Sequence, residues 1–325
     1  MTEDARERRV NAHNAASSAR PSLTDLGITR LTIASFAWQA VLGLLTTWAF
    51  SRAGISVDWP SAARRLPLLG IFVVAWLYYA RWPGRRSEWW IPNLLAAEIV
   101  MSTFSLVGLP AQYAAIAAGR PFVDAALSRA DAAFGVHLPA LVAWVAQHAV
   151  ARNTLIVAYE CFLPEILLVP VILALLRDRR GLWSFVLQYQ LWWSIALAGG
   201  ALWPTAFAFA YFGFPPIVGE QVMAAQAQAL HTETFATFSF ATVEGLISMP
   251  SFHASLALLA VWSCRRHRAL SLLLAAINAL MIVAAVVLGL HYVVDVLVSL
   301  LLFPIGVVIE SALSGWQEPP PNQIE

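Results

Sequence analysis

Two short stretches hold the residue types that do chemistry in an otherwise apolar chain. The first is "SMPSFHASL" at 248–256, where Ser248, Pro250, Ser251 and His253 stand at the mouth of an apolar run. The second is "GLHYVVD", where His291 and Asp295 lie four residues apart. In a helix, residues at that spacing share a face and can hydrogen-bond. A carboxylate on one imidazole nitrogen fixes the tautomer and leaves the other lone pair free to attack. Pro250 suits a first helical turn, where its missing N–H would have no partner, and Ser248 is the expected N-cap. The backbone N–H groups of Ser251, Phe252 and His253, with the positive end of the helix dipole, would then form an anion site. Two histidines, an aspartate and an anion site are the minimum set for phosphoryl transfer through a histidine nucleophile. A metal site built from the same three side chains is the alternative, and the anion-binding helix start argues against it.

These groups must be positioned by membrane helices. The chain has 325 residues, 59% hydrophobic and 12% charged, with a mean hydropathy of +0.68. A soluble domain could not solvate that surface, so the sequence predicts an all-α, polytopic membrane bundle. Apolar runs at 28–50, 66–82, 91–116, 154–176, 182–212, 248–264, 269–290 and 294–314 predict about eight spans. All basic residues are arginine, and no basic stripe interleaved with aromatics points to nucleic acid. Cys161 and Cys264 read as core fillers.

Loop charges set the expected orientation. Arginines precede the first span and follow the second, fourth and sixth, all on one side in an eight-span count. The 213–247 loop on the other side has no basic residue, and it holds Glu220, Glu233 and Glu244. The positive-inside rule then puts both termini in the cytosol and the two chemical stretches on the extracytoplasmic face of an inner or plasma membrane. Arg52, Arg64, Arg65, Arg120, Arg129 and Arg152 fall on the wrong side of that pattern. Residues 1–27 are expected to be a cytosolic tail, 28–90 an accessory helix pair, 91–315 the core and 316–325 a second tail. Residues 117–153 carry helical periodicity suited to the interface, and 213–247 could form a lid.

The two stretches resemble the type 2 phosphatidic acid phosphatase (PAP2) superfamily over roughly 91–314. Its second motif, Pro-Ser-x-His, is similar to Pro250–His253, and its third ends His-x-x-x-Asp, as at His291 and Asp295. "PSFHA" and the His-Tyr pair look most like the inositol phosphorylceramide synthase branch. "VDAALSRADAAFG", with Asp124 and Asp131, is similar to an upstream loop typical of that branch. The resemblance implies a six-helix core and a lipid phosphatase needing no metal or other cofactor, whose partner is a membrane lipid. His291 would be the nucleophile, His253 the acid for the leaving oxygen, and Asp295 the orienting group. Transfer of a phospho-headgroup to a lipid alcohol stays open, as does a non-catalytic lipid binder on the same fold. The family's third motif usually opens Ser-Arg where this chain has Ala284 and Ala285, and no basic residue lies near Pro204. With those cations missing, Ser251, Arg120 and Arg152 are the expected phosphate-binding residues.

Of the other polar groups, Glu160 and Glu165 lie within an apolar run, about 140° apart on a helix, which argues against an acid/base pair. Asn278 should bond a neighbouring helix. His137, His148, His231 and His267 read as interfacial or bland.

Overall fold

The computed structural model describes residues 30–81, 89–214 and 221–314; the two tails expected at 1–27 and 316–325 lie outside it. Its helices are α1 (Arg30–Ala53), α2 (Trp59–Ala63), α3 (Leu66–Arg81), α4 (Trp90–Ile116), α5 (Asp124–Ala133), α6 (Leu138–Gln147) and α7 (Ala149–Glu160). They continue as α8 (Phe162–Leu175), α9 (Arg179–Leu202), α10 (Ala208–Phe212), α11 (Gln221–His231), α12 (Phe252–Ser263), α13 (Arg268–Val287) and α14 (Val293–Ser314). The molecule is thus an all-α membrane bundle. Among the described residues the single β feature is a parallel pairing of β1 (Ser56–Val57) with β2 (Thr237–Phe238).

The eight expected runs all fold as helix, but not as eight full spans. Among the described residues, five helical stretches are long and apolar enough to cross a bilayer, or six if the pair α6 and α7, bent by 110°, counts as one. The run at 154–176 is broken at Cys161 into α7 and α8. The run at 182–212 ends its long helix at Leu202, and that at 248–264 yields only the 12 residues of α12. At 1.5 Å per residue, α12 is about 18 Å long, well short of a ~30 Å core. Its first turn therefore opens inside the bundle.

Helix α9 organises the core. Trp183, Phe185, Val186 and Trp192 on it are fully buried, and α4, α8, α12 and α14 pack around it. A helix apolar on several faces belongs inside a bundle. Its Gly199 and Gly200 let the segment before α12 lie directly against it. A Cβ at Gly199 would overlap Pro250 Cδ and the Met249 carbonyl, and one at Gly200 would meet Ile247 Cγ1 at 2.8 Å. The N-terminal pair is tied in by polar contacts. Gln39 donates to the Val100 carbonyl at 3.1 Å, and Trp38 to Ser194 at 2.9 Å. The link between α1 and α3 holds the segment 237–240 through Ser239–Asp58 (2.7 Å), Phe240 N–Ser61 Oγ (2.9 Å) and Arg65–Phe240 O (2.9 Å). Arg65, one of the arginines that break the charge pattern, thus has a structural task.

Candidate active site

The N-cap of α12 is Ser251, not Ser248: Ser251 Oγ accepts from Ala254 N at 3.3 Å, and Pro250 lies one residue before the cap. Ser251 N–H is already bonded to the Asp295 carbonyl at 3.2 Å. Only the N–H groups of Phe252 and His253 remain without a partner among the described residues. The anion site expected from the sequence is thus reduced to two free N–H groups at the positive end of a short helix. Ser248 sits instead between the other two site residues. Its hydroxyl donates to Asp295 Oδ2 at 2.5 Å and lies 3.2 Å from His291 Nδ1.

His291 and Asp295 meet, but not along one helix face. His291 lies in the break between α13 and α14, while Asp295 is in the first turn of α14. There Asp295 Oδ2 accepts from Tyr292 N at 3.0 Å, a carboxylate in the N3 position reaching back to the helix start. His291 Nδ1 is 3.1 Å from the Ser248 carbonyl and 3.4 Å from Asp295 Oδ2. A carbonyl only accepts, so Nδ1 carries the proton and Nε2 keeps its lone pair. His253 is held by rings: Tyr159 stacks on it at 4.3 Å and Phe162 packs at 4.2 Å. The two imidazoles are 5.7 Å apart, centroid to centroid.

Both histidines line one cavity of about 290 Å³, recessed within the bundle. Its walls are mainly apolar, with Trp193 and Phe207 among them, and Met223, Val243, Glu244, Gly245 and Ile247 also line it. Part of the 213–247 segment thus lines the cavity that both histidines share. Phe207 adopts a φ of 71°, costly for a bulky side chain.

Sequence reasoning left two residues out of the site that the structure places against it. Asp124 and Asp131, seven apart, share one face of α5 and are both buried. Asp131 accepts from Val293 N and Val294 N, each at 2.9 Å, and so caps α14 next to His291. Asp124 accepts from the Tyr292 hydroxyl at 2.9 Å and from Ala206 N at 2.8 Å, beside the strained Phe207. Burial pushes both carboxyls above the usual range, and their N–H and hydroxyl donors pull them back. The seven-residue spacing was visible in the sequence; its target was not.

The expected phosphate-binding residues are not brought together. Arg120 is exposed, Arg152 is half-buried on α7, and neither lines the cavity. Ser251 is fully buried in its capping role. Ala284 and Ala285, where the family's Ser-Arg would stand, are fully buried, and the Ala285 carbonyl accepts from His291 N at 2.9 Å. The lining therefore contains no arginine. Glu165 and Asn278 pair deep in the bundle at 2.9 Å, as the helix-to-helix expectation for Asn278 requires. Among the described residues no group of three potential ligands is disposed to hold a metal ion.

Searches of curated proteins and of solved structures returned no match. A family profile described as the PAP2 superfamily matches residues 125–309, a stretch running from α5 into α14 that contains His253, His291 and Asp295. With more than half of its length matched, and with both histidines on one cavity, the chain belongs to the PAP2 superfamily, whose members are generally phosphatases or phosphotransferases.

Proposed function

We propose that the protein acts on a membrane lipid phosphate through a phosphohistidine on His291. The observation that carries this reading is the His291 ring itself. Its Nδ1 faces the Ser248 carbonyl and Asp295, which leaves Nε2 for the cavity shared with His253. Attack by Nε2 forms an N–P bond as the P–O bond to the lipid breaks, and His253 supplies the proton that the departing oxygen needs. Asp295 and Ser248 stabilise the charge that develops on the His291 ring. Water, deprotonated by His253, then releases the phosphate and restores His291. The Phe252 and His253 N–H groups are the donors for the phosphoryl oxygens.

Transfer to a lipid alcohol in place of water is the second reading. The mainly apolar walls favour it, because they limit the access of water. The charge pattern of the loops supports an extracytoplasmic site in either case.

The test is to incubate purified protein with lipid labelled in its phosphate, quench in alkali, and map the label. Acid-labile label on His291, absent from His291→Ala, is expected. Wild-type turnover by His291→Ala would remove the nucleophile from this reading.

A further inference from the structure

The cavity that both His253 and His291 line also has a carboxylate residue, Glu244, and no arginine, in its lining. The chain has no lysine. The backbone of Glu244 is fixed on both sides. Its N–H donates to the Tyr113 hydroxyl at 2.9 Å, and its carbonyl accepts from Gln112 Nε2 at 2.8 Å. Gln112 Oε1 takes the N–H of Leu246 at 2.8 Å, while Tyr113 donates in turn to Gln226 at 2.5 Å. The Glu244 carboxylate has no hydrogen bond or ion pair among the described residues. Burial pushes its carboxyl above the usual range, as for an acid taken from water without a counter-ion.

These charges suit one kind of headgroup. Two backbone N–H groups carry partial charge, enough for the single charge of a phosphodiester but poorly matched to a dianion. A carboxylate in the same low-dielectric space repels a second negative charge and attracts a positive one. We infer that Glu244 selects a zwitterionic lipid, a phosphodiester whose headgroup carries an ammonium, with the phosphate at the α12 start and the ammonium on Glu244. The inference rests on the proposed attack at phosphorus. His291 Nε2 bonds to phosphorus, the P–O bond to diacylglycerol breaks, and that oxygen leaves with a proton from His253. The headgroup stays on the phosphorus through the covalent stage, so Glu244 holds it until water or an alcohol displaces His291.

The test measures binding separately from turnover. Radiolabelled short-chain phosphatidylethanolamine, phosphatidylglycerol and phosphatidate are equilibrated by dialysis with detergent-solubilised His291→Ala protein, and with a His291→Ala, Glu244→Gln double variant. Phosphatidylethanolamine should bind about tenfold more tightly than either anionic lipid, and Glu244→Gln should erase that preference. Phosphatidate binding as tightly as phosphatidylethanolamine would overturn the inference. So would a preference unchanged by Glu244→Gln, or no binding of any of the three. Diacylglycerol release by protein that retains His291 is scored in parallel. Its absence beside selective binding would count against the covalent chemistry and leave the headgroup assignment standing.

Discussion

Asp131→Asn is the sharpest probe of how the site is held. Asp131 is 2% exposed, and its two oxygens take the first two N–H groups of α14 at 2.9 Å each. Asparagine keeps one acceptor and turns an NH₂ toward the other N–H, so one bond to a charged group is lost and a buried donor is left facing a donor. Such bonds contribute about 1.5–3 kcal/mol, and the helix-end charge adds up to ~1. The local cost is then about 2–4 kcal/mol, or roughly 30- to 1,000-fold in opening equilibrium. Hydrogen exchange by mass spectrometry on a peptide spanning residues 290–297 should show that acceleration, with little change in α9. Because His291 lies directly before the loosened turn, kcat should fall about 10²-fold with KM nearly unchanged. Arg129→Ala, exposed on the same helix, should do neither. Acceleration confined to α5, with 290–297 as protected as in wild type, would refute the capping argument.

Gly199→Ala should force the Met249–Pro250 segment off α9, lowering stability by about 1–3 kcal/mol and turnover with it; a thermal melt and a lipid-phosphate assay read both. Arg120→Ala, outside the cavity wall, should change kcat/KM by no more than about twofold, whereas a 10²-fold loss would place a cation at the phosphate. The raised carboxyls of Asp124 and Asp131 favour the protonated folded form. From the ordinary value of 3.8 up to their folded values the unfolded chain binds fewer protons, so their contribution to stability falls as pH rises through that window and levels off above it. Asp124→Asn should flatten that slope in melts taken across it. For topology, in a Cys161→Ser background, Gln228→Cys should react with an impermeant thiol reagent in intact cells and Arg180→Cys should not; the reverse pattern would invert the proposed orientation.

What the sequence determined by itself was the class of fold, and it singled out the two histidines that share the cavity and the aspartate beside one of them. Uninterrupted apolar runs can be solvated only by a bilayer, and a bilayer admits helices whose backbone bonds are internal, so an all-α bundle followed from composition and run length. Pro250–His253 and His291–Asp295 were legible because residue type and short spacing carry their chemistry. How those groups meet was decided by packing. Ser248 was expected to cap α12 and instead bridges His291 and Asp295, because the chain before the helix is pressed onto Gly199 and Gly200. The run lengths predicted about eight spans, yet they could not register the break at Cys161 or the shortness of α12. Asp124 and Asp131 showed helical spacing but no target, since the groups that donate to them lie 82 to 168 residues away. Glu244 read only as one of several acids in an outer loop. It became a cavity residue through Gln112 and Tyr113 on α4, and contacts between elements so distant in sequence leave no local periodic trace.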